Sequence, residues 1–151
     1  MAMTDTQKAL LAAAKTEKDA MDFYKYGAEK LPDDKAAATF KLLAREELEH
    51  ARSFYDCVNS SGLAPFDSFI SGPPDTESSW WKSLQSAMLI GFDERKALEL
   101  AMDQEAALEK ELLAMAEKMT DPDVKAVYLA NARSTHRHEE LIGEDYKAIY
   151  G

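Results

Sequence analysis

Four stretches of this chain place apolar residues three and four apart, the spacing that lines one face of an α-helix, and a single long stretch between them does not. The first runs from about Asp5 to Lys30, with Leu10, Ala13, Ala14, Glu17, Ala20, Met21, Tyr24 and Ala28 on one side. Thr4 and Gln7 have the spacing of a capping box, and Pro32 ends the helix. The second, capped by Asp33 or Asp34, spans about Lys35 to Asn59 and aligns Phe40, Leu43, Ala44, Glu47, His50, Ala51, Phe54 and Val58. Helical character returns at Trp80. A single helix from there to Met119 would be about 60 Å long, twice its partners, so Gly91 and Asp93 are expected to break it and leave a main third helix over about Asp93 to Met119. Asp121-Pro122 supplies a cap and a first-turn proline for a fourth helix that reaches about Ala148.

The non-periodic stretch from Ser60 to Ser79 holds Gly62, Pro65, Gly72, Pro73 and Pro74, yet also Leu63, Phe66, Phe69 and Ile70. It is too long and too apolar for a turn between antiparallel neighbours, and predicts a crossover strapped across the bundle. The expected fold is all-α: one domain over residues 1–151, an up-down-down-up four-helix bundle with one long crossover between its second and third helices. At 151 residues the chain is long enough to bury a core without disulfides.

Glu17 falls on the core stripe of the first helix, three residues from both Ala14 and Ala20. Glu105 repeats the anomaly among Leu98, Ala101, Met102, Leu108, Leu112 and Met115, and Glu47 and His50 face inward together as a Glu-x-x-His pair. Any one of these alone has a simpler account, as a snorkelling carboxylate or a satisfied core histidine. Taken together, four core-side polar groups from three helices must find partners, and metal ions satisfy them best. On the fourth helix His136 shares a face with Leu129, Ala132 and Gly143, with Glu139 and Glu140 one turn on; His138 is expected at the surface. A carboxylate-bearing helix followed by a histidine-bearing one occurs in each half of the chain, a weak internal twofold pattern that predicts opposing ligands.

The predicted metal residues are therefore Glu17, Glu47, His50, Glu105, His136 and Glu139, with Glu17, Glu47 and Glu105 also carrying the chemistry and Glu140 an alternative to Glu139. Glu99 and Asp103 point away from Glu105. Oxygen and imidazole donors without sulfur suit iron or manganese, and zinc fits the same donors. Two irons are expected if the site is intact. Tyr24 is either a hydrogen-bonding neighbour of the site or plain core.

The segment Ala44-Arg45-Glu46-Glu47-Leu48-Glu49-His50-Ala51 resembles the Glu-x-x-His signature of the rubrerythrin branch of the ferritin-like superfamily. The run from Ala97 to Glu105 is similar to that family's third-helix segment, and Glu17 matches its first-helix glutamate. The resemblance covers essentially the whole chain. It implies a cytoplasmic diiron protein, often dimeric, associated with peroxide reduction or iron oxidation. Two departures stand out. Arg133, three residues before His136, occupies the place of a glutamate ligand, and there is no rubredoxin-like domain, so electrons for a peroxidase cycle must come from a separate donor protein. Three arrangements at Arg133 remain open: it turns outward while Glu139 or Glu140 takes the position, it pairs with Glu17 or Glu105 in place of one metal, or the register of the last helix is shifted.

The net charge of −10 excludes a positive field for collecting nucleic acid. No stretch approaches the uninterrupted apolar length of a membrane span, and neither a signal peptide nor a span is readable, so a cytoplasmic location is expected. Cys57, the only cysteine, excludes a disulfide framework and an all-thiolate metal site. Two functions follow. One is an iron-dependent oxidoreductase acting on hydrogen peroxide or dioxygen and on ferrous iron. The other is a non-catalytic iron-binding or structural bundle with a partly degraded site. Trp80, Trp81, Phe66 and Phe69 are candidates either for a homodimer interface or for covering the bundle end.

Overall fold

A computed structural model describes residues 2–151 and contains six helices: α1 (Asp5–Ala28), α2 (Asp34–Val58), α3 (Phe66–Ile70), α4 (Ser79–Ala87), α5 (Glu94–Lys118) and α6 (Pro122–Tyr150). The four long ones form the predicted bundle, and no strand is present among the described residues. Each starts at the polar residue the sequence offers. Thr4 accepts from the Gln7 amide while the Gln7 side chain accepts from the Thr4 amide, completing the capping box. Asp33, Asp93 and Asp121 accept from Ala36, Lys96 and Asp123, satisfying amides that have no partner within the helix. Asn59, in the left-handed conformation at φ 47°, ends α2.

The bundle is two helical hairpins, α1 with α2 and α5 with α6, brought face to face by α2 against α6 and by α4, which packs on both α1 and α5. Gly27 lets α1 approach α2 closely: a Cβ there would stand 3.0 Å from the Phe40 ring. Between the hairpins Leu10, Phe23, Tyr24, Phe40, Leu43, Phe54, Leu98, Tyr128 and Ile142 close the core.

The predicted crossover holds one short helix, α3, and is followed by α4, the helical return expected at Trp80, which ends before Gly91 and Asp93. Of the aromatic residues in these two helices Trp80 is buried, packing edge-on against Phe23 at 5.4 Å and lying 5.6 Å from Tyr24, while half-buried Phe66 meets Tyr55 edge-on at 5.4 Å and Phe69 stacks on it at 4.8 Å. Trp80 thus covers the core, while Phe66, Phe69 and Trp81 stay half-buried at the surface. Lysines on α1 tie the strap down. Lys15 Nζ lies 2.6 Å from Asp75, and Lys18, buried and paired with Asp22 at 2.7 Å, also donates to the Pro73 carbonyl. The apolar tip between α4 and α5, Met88 to Ile90, is exposed.

Candidate metal centre

Glu17 from α1, Glu47 and His50 from α2, Glu105 from α5 and His138 from α6 meet in the middle of the bundle. The three carboxylates and His138 are completely buried and His50 nearly so. Their donor atoms form two groups that share one residue. Glu17, Glu47 and His50 make the first and Glu47, Glu105 and His138 the second, with the atoms of each group within 4.8 Å of one another. His50 Nδ1 lies 3.4 Å from Glu17 Oε2 and 3.8 Å from Glu47 Oε1. His138 Nδ1 lies 2.7 Å from that same Glu47 oxygen and 3.5 Å from Glu105 Oε1. The two imidazoles stack, 5.2 Å apart and 7° from parallel.

The outer face of each histidine is occupied. His138 Nε2 is 2.8 Å from Glu46 Oε1, and because a carboxylate only accepts, that nitrogen carries a proton. His50 Nε2 is 2.8 Å from Ser134 Oγ. Both rings thus turn Nδ1 inward, the orientation of a metal-ligating histidine braced from behind. Tyr24 braces Glu105 in the same way, its hydroxyl donating to Oε1 at 2.7 Å.

Most of what faces the centre has no partner outside it. Both oxygens of Glu17, both of Glu47, Glu105 Oε2 and the Nδ1 atoms of His50 and His138 are buried without a hydrogen bond. An imidazole nitrogen 2.7 Å from a carboxylate oxygen persists only with a proton or a cation between them. Without metal the site holds protons. Burial and the Glu47 charge push Glu17 well above the usual carboxylate range. The same two causes lift Glu105 to about 7, against the opposing pull of His138 and Tyr24. Burial opposes charge on the histidines, but Glu17 and Glu47 raise His50 to about 10, and Glu105 and Glu47 raise His138 to about 11. Glu47 is the exception: burial favours its neutral form, yet contacts with Glu17, His138 and His50 hold it below the normal range.

The structure brings Glu17, Glu47, His50 and Glu105 together as expected, but His136 and Glu139 do not join them. His136 is exposed on the outer face of α6, with Nδ1 3.1 Å from Glu109, and Glu139 completes that separate surface group. The inward residue is His138, expected at the surface. Periodicity explains the shift: the buried stripe of α6 is Tyr128, Asn131, Ala132, Thr135, His138, Ile142 and Asp145. Its three- and four-residue steps pass through 135 and 138, and Leu129 and Gly143, which drew the sequence reading to His136, lie at the edge of that stripe. Arg133 is exposed and opposes no glutamate of the centre. The residue one turn before the inward histidine, equivalent to Glu47 before His50, is Thr135. The sequence signal was a second face at helical spacing, Tyr128, Asn131, Ala132, Thr135, His138 and Ile142, which competes with the one through His136.

The rubrerythrin family model matches residues 8–146, a span that contains all five inward residues. The chain belongs to the rubrerythrin family. Comparison with curated proteins and with solved structures returns no match. Among ferritin-like folds a two-metal site draws one glutamate from each of two helices and a Glu-x-x-His pair from each of the other two. This rubrerythrin family member has the two single glutamates, one complete pair and one pair reduced to its histidine. Its orphaned donors fit a carboxylate-bridged metal pair, consistent with a diiron site: Glu47 faces both groups, Glu17 and His50 serve one side, Glu105 and His138 the other.

Proposed function

We propose that the chain is a non-haem iron oxidoreductase that reduces hydrogen peroxide at a pair of irons held by Glu17, Glu47, His50, Glu105 and His138. The observation that carries this is the convergence, from four helices onto one shared carboxylate, of buried oxygen and nitrogen atoms whose only partners are one another. Sulfur-free donors of this kind favour iron or manganese; zinc fits them too but is redox-inert. A bound ferrous pair supplies the two electrons that, with two protons, convert one hydrogen peroxide to two waters and leave both irons ferric.

The remaining work falls to protein groups. Glu47, held ionised by its neighbours, bridges the two halves of the site. Glu46 and Ser134 fix the imidazoles from behind, and the Tyr24 hydroxyl orients Glu105 while burial keeps its own proton in place. The aromatic wall of Phe23, Phe40 and Trp80 around Tyr24 keeps bulk water from that side. Cys57 is the sole cysteine, which favours electron return from a separate donor protein. Where ferric iron leaves instead, the same chemistry is ferrous iron oxidation, and dioxygen is the alternative oxidant.

Anaerobic reconstitution with ferrous iron tests this. The expected result is two irons per chain, oxidation of both by one equivalent of peroxide, and the near-ultraviolet band of an oxo-bridged ferric pair. Glu47→Ala is expected to lose both irons. Failure to bind iron specifically overturns the proposal, and binding without peroxide consumption leaves a non-catalytic iron-binding bundle.

A further inference from the structure

The outer face shared by α1 and α2 carries a groove of about 570 Å³ that takes no part in the metal centre. Its floor is apolar. Met21 and Ala28 lie two turns apart on α1, Ala44 and Leu48 lie one turn apart on α2, and Ile70 joins them from the end of α3. The short side chains of Ala28 and Ala44 leave between the helices the space that longer residues would fill.

The rim is cationic. Lys25, Lys41 and Arg45 line the groove and are exposed, and among the described residues none of the three makes an ion pair or a side-chain hydrogen bond. Farther along α1 the lysines are matched, Lys15 by Asp19 and Asp75 and Lys18 by Asp22. Glu29 is the one acid of the lining, and it pairs with none of these cations. Three cations and one acid leave the groove locally positive on a chain whose net charge is −10. Lys41 and Arg45 stand one helical turn apart on α2, so a single anionic group can reach both. A guanidinium presents paired N–H donors that match the two oxygens of a carboxylate.

We propose that this groove binds one aliphatic monocarboxylate, a long-chain fatty acid, with its chain along the Met21, Ala44, Leu48 and Ile70 floor and its carboxylate on Lys41 and Arg45. An apolar floor with a few convergent polar groups is the make-up of a small-molecule site, and the volume falls within the usual range of about 300–1,000 Å³. Charge complementarity selects the anionic head, and the apolar floor selects an unbranched chain over a small inorganic anion. The site is separate from the metal pair and stands or falls without it.

Dodecanoate, kept below the concentration at which it forms micelles, is the probe, titrated into full-length iron-loaded protein by calorimetry, with oligomeric state followed by sedimentation. The wild type is expected to bind one dodecanoate per chain, saturably, and to bind neutral dodecanol about tenfold more weakly. Exposed Lys41 and Arg45 are reversed together in the variant Lys41→Glu with Arg45→Glu, which is expected to keep its iron and to lose at least about tenfold in dodecanoate affinity. Ala44→Phe, which fills the floor, is expected to abolish binding of both probes. Should Ala44→Phe fail to fold by circular dichroism, Leu48→Glu takes its place. No saturable binding to the wild type, equal affinity for dodecanol, or unchanged affinity in the charge-reversed variant each overturns the site. So does a dimer that binds no dodecanoate and that charge reversal splits into monomers, since the groove is then covered by a second copy of the chain.

Discussion

At the scale of single residues, the centre is made by side chains that look inward on one edge and are held on the other. His138 shows this most plainly: Nε2 meets the half-exposed Glu46 carboxylate, and Nδ1 meets Glu47 and Glu105. His136, two residues earlier, points about 160° away around a helix that turns about 100° per residue. The two histidines therefore separate the buried centre from the surface group. His138→Ala is expected to remove at least one iron per chain and the oxo-bridged band, while His136→Ala leaves both unchanged, as read by elemental analysis and absorption after reconstitution. The reverse result would move the functional site to the surface. Glu46→Gln should weaken metal binding about tenfold without abolishing it, because it disturbs the brace rather than the ligand.

Among the elements, the crossover has the largest structural burden for its length. It carries Trp80 into the core beside Tyr24 and is fastened to α1 by Lys15 and Lys18. Lys18 is the critical tie, since it is buried with Asp22 and bonded to the Pro73 carbonyl. Removing one partner of a buried ion pair leaves the other charged and unsatisfied. Lys18→Ala is expected to lower unfolding free energy by about 3 kcal/mol, measured by urea denaturation, and Lys18→Ala with Asp22→Ala to recover part of that loss. Additivity of the two single changes would show that the pair is not coupled.

For the whole molecule, metal and protons compete for one polar core, and the sign of the pH dependence follows. Glu17 and Glu105 have folded-state pKa values raised above the unfolded ones, so their contribution is present below about 4.5. It is lost as pH rises, through about 7 for Glu105. His50 and His138 contribute below their unfolded value and lose it as pH climbs toward about 10 and 11. Metal-free protein is therefore expected to be less stable at pH 8 than at pH 5, with Glu105→Gln flattening part of that slope. Metal reverses the trend. Its uptake at pH 7 displaces protons from Glu17, His50, His138 and part of Glu105, so affinity rises with pH. At one hundred times Kd, bound metal adds about 2.7 kcal/mol, visible as a raised Tm. Identical melting with and without ferrous iron at pH 8 would contradict this.

The amino-acid sequence by itself determined the four long helices, their caps, the crossover and the inward carboxylates Glu17, Glu47 and Glu105. Those features are local: periodicity of three and four residues, a capping oxygen at a fixed offset, prolines and glycines that interrupt the pattern, and charged residues on an otherwise apolar stripe. Tertiary structure alone decided which histidine of α6 completes the centre. That helix carries apolar residues on more than one side, Leu129 and Leu141 among them, so several faces compete on periodicity, and only packing against α2 and α5 selects the one through Thr135 and His138. The same packing sends Arg133 and His136 outward and turns Trp80 inward. It also leaves a threonine in a carboxylate's place, because a centre drawn from four helices exists only once the four are side by side.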